Sequence, residues 1–355
     1  MKILITGICG FVGSTVAESL PAHLEGIEVS GIDNLMRPGA ETNRLRLKRL
    51  GIEVVHGDLR CASDLAALER ADWVIDAAAN PSALAGLHGT GASRRLFENN
   101  LAALGNVLEF CREHGAGFLL LSSSRVYSIP ALAAIPLRTE DQAFLLDADK
   151  PLPEGLSENG IGPHFCTAPP ISLYGATKLS SEIMALEYGQ AFQFPVWITR
   201  CGVLAGAGQF GTPEQGIFAY WINAHLRRRP LRYIGFEGTG YQARDAFHPR
   251  DLTALLAAQM RTARPGGQRI YTAGGGPRNL MSLAQLTRWC DERFGAHAPS
   301  ADARERPYDV PWIAMDNRDA ARDFSWRIAT PLPEVLEEIA RHAEAHPDWL
   351  ERSGA

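Results

Sequence analysis

The 355-residue sequence predicts an α/β fold: a doubly wound parallel sheet with helices on both faces, followed by a smaller mixed α/β C-terminal lobe. Three observations carry that prediction. Short apolar runs alternate with amphipathic stretches through the first half, and a glycine-rich turn follows the first of those runs. Beyond Gly206 the alternation gives way to helical periodicity with few short strands.

The runs Lys2–Thr6, Glu28–Asp33, Glu53–His56, Trp73–Ala77, Gly117–Ser122 and Pro195–Arg200 are brief and largely apolar, as strands covered on both faces must be. Between them, Phe11–Leu20, Ala62–Glu69, Leu96–His114 and Tyr174–Gly189 repeat apolar residues at helical spacing. Strand and helix in alternation imply right-handed crossovers and parallel pairing. Residues 130–170 are rich in Pro, Gly and acidic side chains without a sustained period, which predicts a long ordered loop. Helices are expected at Ile217–Arg228, Asp251–Thr262, Met281–Phe294, Asn317–Phe324 and Leu332–Ala345, with strands at Leu231–Ile234 and Arg269–Thr272. The expected division is 1–190, with strand 195–200 returning to its sheet, and 205–355, with some segments packing back on the first part.

Composition narrows the function. Forty acidic and thirty-five basic side chains give a net charge of −5, and no basic block occurs, which argues against a nucleic-acid binder. A phosphorylated small molecule needs only a few local cations and stays open. The six cysteines, Cys9, Cys61, Cys111, Cys166, Cys201 and Cys290, show neither CxxC nor zinc spacing, so reduced thiols and no metal are expected. No stretch approaches the roughly 18 apolar residues of a membrane helix, and glycines interrupt the N-terminal apolar run, so a cytoplasmic protein without membrane contact is expected.

The strongest local signal is Gly7-Ile8-Cys9-Gly10-Phe11-Val12-Gly13 between a strand and a helix. Glycines there allow a tight turn and close backbone approach to a pyrophosphate, which the helix N-terminus would bind: a Rossmann-type dinucleotide site. Asp33 ends the next strand, where its carboxylate can take a ribose 2′-hydroxyl and would repel a 2′-phosphate. NAD is favoured over NADP, although Arg37 lies near enough to keep NADP open. A second signal is Tyr174-Gly175-Ala176-Thr177-Lys178. Positions i and i+4 share a helix face, so the Lys178 ammonium should favour the Tyr174 phenolate and lower its pKa toward neutrality. Ser122-Ser123-Ser124-Arg125-Val126-Tyr127 sits at the carboxyl end of a predicted parallel strand, where such sheets bind ligands.

The G-x-x-G-x-x-G spacing combined with Tyr-x-x-x-Lys resembles the extended short-chain dehydrogenase/reductase superfamily, over nearly the whole chain. The resemblance implies a catalytic set of Ser123, Tyr174 and Lys178, with Ser122 and Ser124 competing for the serine role. It implies NAD contacts from Gly7, Gly10, Phe11, Val12, Gly13, Asp33, Asn34, Asp58, Leu59, Ala77, Ala78, Ala79, Asn100, Ser122, Tyr174, Lys178 and Val203. Gln242-Ala243-Arg244-Asp245 with His248 and Asp251 resembles a family stretch whose Arg reaches sugar-nucleotide phosphates, and Arg306 matches a second phosphate Arg. Ser124, Gln215, Tyr233, Arg244, Arg306 and Asp309 are therefore the expected substrate contacts. His248 reads as a structural hydrogen-bonder, and Arg227-Arg228-Arg229 as a solvated helix end.

Family 4,6-dehydratases carry an Asp-Glu pair after the catalytic Ser or Thr, where this chain has Ser124 and Arg125, so a dehydratase is disfavoured. Gly208-Gln209-Phe210, Glu214-Gln215-Gly216 and the long loop are similar to the CDP-tyvelose (CDP-paratose) 2-epimerase branch, while Val203 and Ser128 depart from it. The implied function is NAD-dependent epimerisation of a nucleoside-diphosphate sugar through a transient keto-sugar, at C2 of a CDP-hexose. The alternatives are a UDP-glucose 4-epimerase-like enzyme or a non-catalytic NAD-binding scaffold. The resemblance also implies a homodimer through a helix bundle built on Leu96–His114 and Tyr174–Gly189, or a tetramer.

Overall fold

The computed structural model describes residues 1–87, 89–262, 267 and 269–355. Its centre is a seven-stranded sheet of β1 (Lys2–Thr6), β2 (Glu28–Asp33), β3 (Glu53–His56), β4 (Trp73–Asp76), β5 (Gly117–Ser123), β6 (Val196–Cys201) and β7 (Ile270–Ala273). They lie in the order β7-β6-β5-β4-β1-β2-β3, and every neighbouring pair is parallel. The order reverses between β1 and β4, where Thr6 sits opposite Asp76.

Alternation along the strands explains the two layers. Ile3, Ile5, Ile75, Leu119 and Leu121 point to one face, where they pack with Val16, Leu20, Leu47, Leu252 and Leu256. Leu4, Val74, Phe118, Leu120 and Ile198 point to the other and meet Leu104, Val107, Leu108, Cys111 and Ala185. With side chains of period two and both faces covered, each strand must be apolar throughout. The first face is covered by α1 (Phe11–Ser19), the helix Ala40–Arg49 and the helix Pro249–Arg261. The second is covered by α2 (Ala103–His114) and α3 (Leu173–Phe192).

Four sequence expectations change. Strand 270–273, expected in the second lobe, is the sheet's edge strand beside β6. The helix expected over 96–114 is divided into Ala92–Phe97, a π-helical turn Glu98–Ala102 and α2. Within residues 130–170, a helix (Ile129–Ala133), a hairpin (Leu137–Glu140 with Ala143–Leu146) and a two-residue pairing (Leu156–Ser157 with Gly160–Ile161) replace the plain loop. The fourth is Ala243–Phe247, which is a strand pairing with Val203–Leu204, Leu280–Ser282 and Trp312–Ile313. Its Arg244 and Asp245 are buried, which is why no apolar run marks it in the sequence.

Helices Ile217–Leu226, Leu283–Phe294 and Leu332–Ala345 pack together over a second apolar cluster. Arg228 is exposed and Arg227 and Arg229 half-buried, as a solvated end requires, but two of the three do more than face water. Arg227 donates to the carbonyls of Ala343, His346 and Pro347, and Arg228 to those of Phe294, Gly295 and Ala296, so each satisfies the last carbonyls of a neighbouring helix. Four of the cysteines are buried and Cys61 and Cys166 are exposed; all six are free. Among the described residues, no helix is long and apolar enough to cross a membrane.

Candidate active site

A cleft of about 640 Å³ lies beyond the carboxyl ends of β1, β4 and β5, at the point where the strand order reverses. Gly7 has φ 63°, and a Cβ there would stand 2.8 Å from the Ala78 Cα, so only glycine lets the turn close on the end of β4. α1 starts after Gly10 with no side-chain cap and no acidic residue in its first turn, which leaves N–H groups free toward the cleft. Asp33 accepts the Cys9 N–H at 2.9 Å and the Leu35 N–H at 2.8 Å; burial pushes its pKa up, and these N–H groups oppose that. Asn34 donates to Asp58 at 3.2 Å, and hydrogen bonds from Arg60 hold the Asp58 carboxyl down at about 2. Phe11, Val12, Gly13, Leu59, Ala77, Ala78, Ala79 and Val203 complete this end. An uncapped helix start beside a glycine cradle and two carboxylates fits the pyrophosphate and ribose of a dinucleotide.

Arg37 spends Nη1 on the Gln215 Oε1 at 3.0 Å and Nη2 on the Phe210 carbonyl at 2.6 Å. It therefore fastens the 210–215 segment over the cleft, and Gln215, expected to touch substrate, is engaged by Arg37.

The middle of the cleft is where β5 ends and α3 begins. Ser172 caps α3, accepting the Gly175 N–H at 3.1 Å. A Cβ on Gly175 would collide with the Arg125 carbonyl oxygen, so this glycine lets the helix dock on the serine loop. Ser123 accepts the Arg125 N–H at 3.1 Å, and its side chain is near enough to the Tyr174 phenol to favour the ionised form. Ser122 also lines the cleft, but its hydroxyl is spent on Glu182 at 2.5 Å, so of the three adjacent serines Ser123 is the one that acts on the phenol. Ser124 is buried at the cleft wall.

The electrostatics differ from the sequence expectation. Burial pushes the Tyr174 phenol up to about 12, while the Ser123 hydrogen bond and the Arg125 charge pull the other way and lose. Lys178 is drawn instead toward Asp76 and Glu182: burial lowers its pKa, and these carboxylates oppose the shift. Asp76 in turn accepts the Thr6 hydroxyl at 2.5 Å. Glu182 pairs with Arg200, whose Nη2 donates at 2.7 Å and Nε at 3.0 Å, and both side chains are almost fully buried.

At the far end, Arg244 donates to Asp309 at 2.8 Å and to the carbonyls of Val310 and Ala243, while Arg306 reaches the Pro213 carbonyl at 3.2 Å. All three predicted residues line the cleft. Two predicted contacts do not. Asn100, on the π-helical turn, accepts the Asn80 N–H at 2.8 Å and donates to the Asn80 carbonyl at 3.1 Å; it shapes the wall, and its neighbour Asn99 lines the cleft. Tyr233 stacks on Trp221 at 5.6 Å and donates to Thr287 at 2.7 Å, outside the lining. His248 caps the helix Pro249–Arg261, accepting the Arg250 N–H at 3.1 Å, as a structural histidine would. Sequence reasoning missed Asp76, Arg200 and Glu182. Only Glu182 had a legible signal, lying one helical turn beyond Lys178.

The sequence profile described as the NAD dependent epimerase/dehydratase family matches residues 3–274. The chain belongs to this family. NAD is the family's cofactor, and the chain is an enzyme of the sugar-nucleotide epimerase/dehydratase kind. CDP-paratose 2-epimerase of Salmonella typhi is 26% identical over 333 residues, covering 92% of this chain and 94% of that protein. UDP-glucose 4-epimerase of Azospirillum brasilense is also 26% identical, over 367 residues, covering 99% and 93%. Among solved structures, UDP-glucuronic acid 4-epimerase of Bacillus cereus superposes with a TM-score of 0.77 at 21% identity, covering 97% of this chain and 99% of that one. That level of identity speaks to the fold alone.

Proposed function

We propose that this member of the family epimerises a nucleoside-diphosphate hexose, with C2 of a CDP-hexose the favoured reaction. The observation that carries the reading is the meeting of Ser123, Tyr174 and Lys178 in one cleft, between a dinucleotide cradle and a cluster of guanidiniums. Ser124 and Arg125 supply no carboxylate next to Ser123, which favours epimerisation over elimination of water. NAD, when bound, supplies a reversible hydride acceptor, so that a sugar carbinol passes through a ketone and returns inverted. Gly7, Gly10, Phe11, Val12 and Gly13 would hold its pyrophosphate and Asp33 its ribose.

The chain's own residues handle the proton. Tyr174 exchanges it with the reacting sugar hydroxyl, and Ser123 holds that oxygen against the phenol. Ser123 and Arg125 are the groups that favour the ionised phenol against burial. Lys178, one turn along the helix from Tyr174, lines the cleft with its ammonium drawn toward Asp76 and Glu182. Arg306 supplies charge toward the diphosphate, while Arg244, paired with Asp309, shapes the wall beside it.

The 4-epimerase reading shares this catalytic set, and a relative of equal identity supports it. Incubation with CDP- and UDP-hexoses in heavy water, followed by NMR, separates the readings by which carbon inverts. Inversion without solvent deuterium at that carbon is expected; deuterium there would refute the hydride route. Tyr174→Phe should keep NAD binding and lose most turnover, and near-normal turnover would remove Tyr174 from the role. For the homodimer, support comes from Phe97, Leu173, Ile183, Met184 and Phe192, which are large apolar residues exposed on the helices flanking the cleft floor.

A further inference from the structure

Three guanidiniums line the cleft beyond Tyr174, and they are not equivalent. Arg244 is spent on the protein: Nη2 serves Asp309 and the Val310 carbonyl, and Nη1 serves the Ala243 carbonyl. Its charge is balanced by Asp309. Among the described residues, Arg125 makes one side-chain hydrogen bond, from Nη1 to the Tyr308 carbonyl at 3.0 Å, and no ion pair. Arg306 makes one, to the Pro213 carbonyl, and no ion pair. Glu214, which also lines the cleft, is exposed and pairs with neither. Two guanidiniums with spare donors therefore face the space that a substrate would fill, and a planar guanidinium suits phosphate oxygens.

Their positions along the cleft differ. Arg125 follows the serine loop directly: its N–H donates to Ser123, its carbonyl abuts Gly175, and its cation acts on Tyr174. Arg306 sits by Pro213, under the 210–215 segment. A diphosphate reaching from Arg306 to Arg125 would end beside the reactive phenol. The sugar is attached through its anomeric carbon, C1, and the hydroxyl next to that linkage is the one on C2. The C4 hydroxyl lies across the ring, away from the phosphate.

We propose that Arg125 binds the β-phosphate, the one bearing the sugar, and so presents C2 rather than C4 to Tyr174. This rests on the reading that the substrate is a nucleoside-diphosphate hexose. It gives Arg125 a positive role, beyond the absence of a dehydratase carboxylate.

The test is calorimetric titration of CDP, CMP, UDP and UMP into the NAD-loaded enzyme, for wild type, Arg125→Gln and Arg125→Lys. Losing one charge-assisted contact should weaken CDP by about tenfold or more in Arg125→Gln, with Lys recovering part. CMP, which lacks the β-phosphate, should bind within about twofold of wild type and so serves as the control for folding. Wild-type binding with CDP affinity unchanged in Arg125→Gln overturns the assignment, as does an equal loss for CDP and CMP. An unchanged CDP affinity would instead place Arg125 against a group on the sugar itself. Wild-type failure to bind any of the four nucleotides overturns the sugar-nucleotide reading beneath it. Inversion at C4, with Arg125 still needed for CDP, overturns the positional half of the proposal alone.

Discussion

Removing the charge of Glu182 while keeping its shape should destabilise the protein more than any exposed charge change could. Glu182 accepts the single Arg200 Nε–H shared between its two oxygens, at 3.0 and 3.2 Å, one hydrogen bond from Nη2 at 2.7 Å and one from the Ser122 hydroxyl at 2.5 Å. The side chains of Arg200 and Glu182 are 5% and 1% exposed, so water cannot replace what is lost. In Glu182→Gln the amide keeps one acceptor and turns a donor toward a guanidinium or hydroxyl that also donates. Arg200 retains the Pro163 carbonyl at 2.8 Å and the Tyr127 ring at 5.2 Å, which neutralise none of its charge. Breaking a buried pair in this way costs roughly 3–5 kcal/mol. At about 2 °C per kcal/mol for a chain of this size, the melting temperature should fall by about 6–10 °C. Replacing both partners with apolar residues, Glu182→Leu with Arg200→Met, should recover most of that loss, because a desolvated pair contributes little net stability. Differential scanning calorimetry on the two variants measures both numbers. A Glu182→Gln melting temperature within about 2 °C of wild type would refute the view that the pair is desolvated and interdependent.

Other consequences are open to measurement. His342 is half-buried beside His346 and Trp349, and desolvation pushes its pKa down to about 4. The unfolded chain therefore takes up a proton first, and stability should be full above about pH 6.5 and fall as pH drops toward 4. His342→Gln should flatten that slope in urea titrations, and an unchanged slope would clear His342 of it. In the ligand-free protein, ultraviolet difference spectra between wild type and Tyr174→Phe should show no phenolate signal below about pH 10, because burial raises the Tyr174 pKa; a step near neutrality would contradict that. Ile183→Arg with Met184→Glu should convert a dimer to monomer in light scattering without lowering the melting point of the isolated subunit. A wild-type protein that is monomeric at micromolar concentration would remove the proposed interface.

The parallel sheet was legible because its physics is local. Strands covered on both faces must be apolar, and the first three observed strands coincide with the runs read from the sequence, residue for residue. Helix Leu332–Ala345 was legible for the same reason, its apolar residues recurring at helical spacing. The strand Ala243–Phe247 was not, since it buries Arg244 and Asp245, charges that only distant partners make tolerable. Asp245 is held by the N–H groups of Gly276 and Met315, 31 and 70 residues away. The hairpin inside residues 130–170 was hidden likewise: it is anchored by Asp141 to Arg288 and by the Gln142 carbonyl to the Ser282 hydroxyl.

The site divides along the same line. Sequence alone determined the glycine turn and the Tyr174–Lys178 pair, because those need particular residue types at fixed local spacing; the serine came only as one of three, through the resemblance to the superfamily. Which of three adjacent serines meets the phenol, and which guanidiniums stay free for a ligand, was decided by the tertiary structure. Ser122 is claimed by Glu182 across 60 residues and Arg244 by Asp309 across 65. A buried polar group must find a partner somewhere, and the partner it finds determines what remains for the substrate.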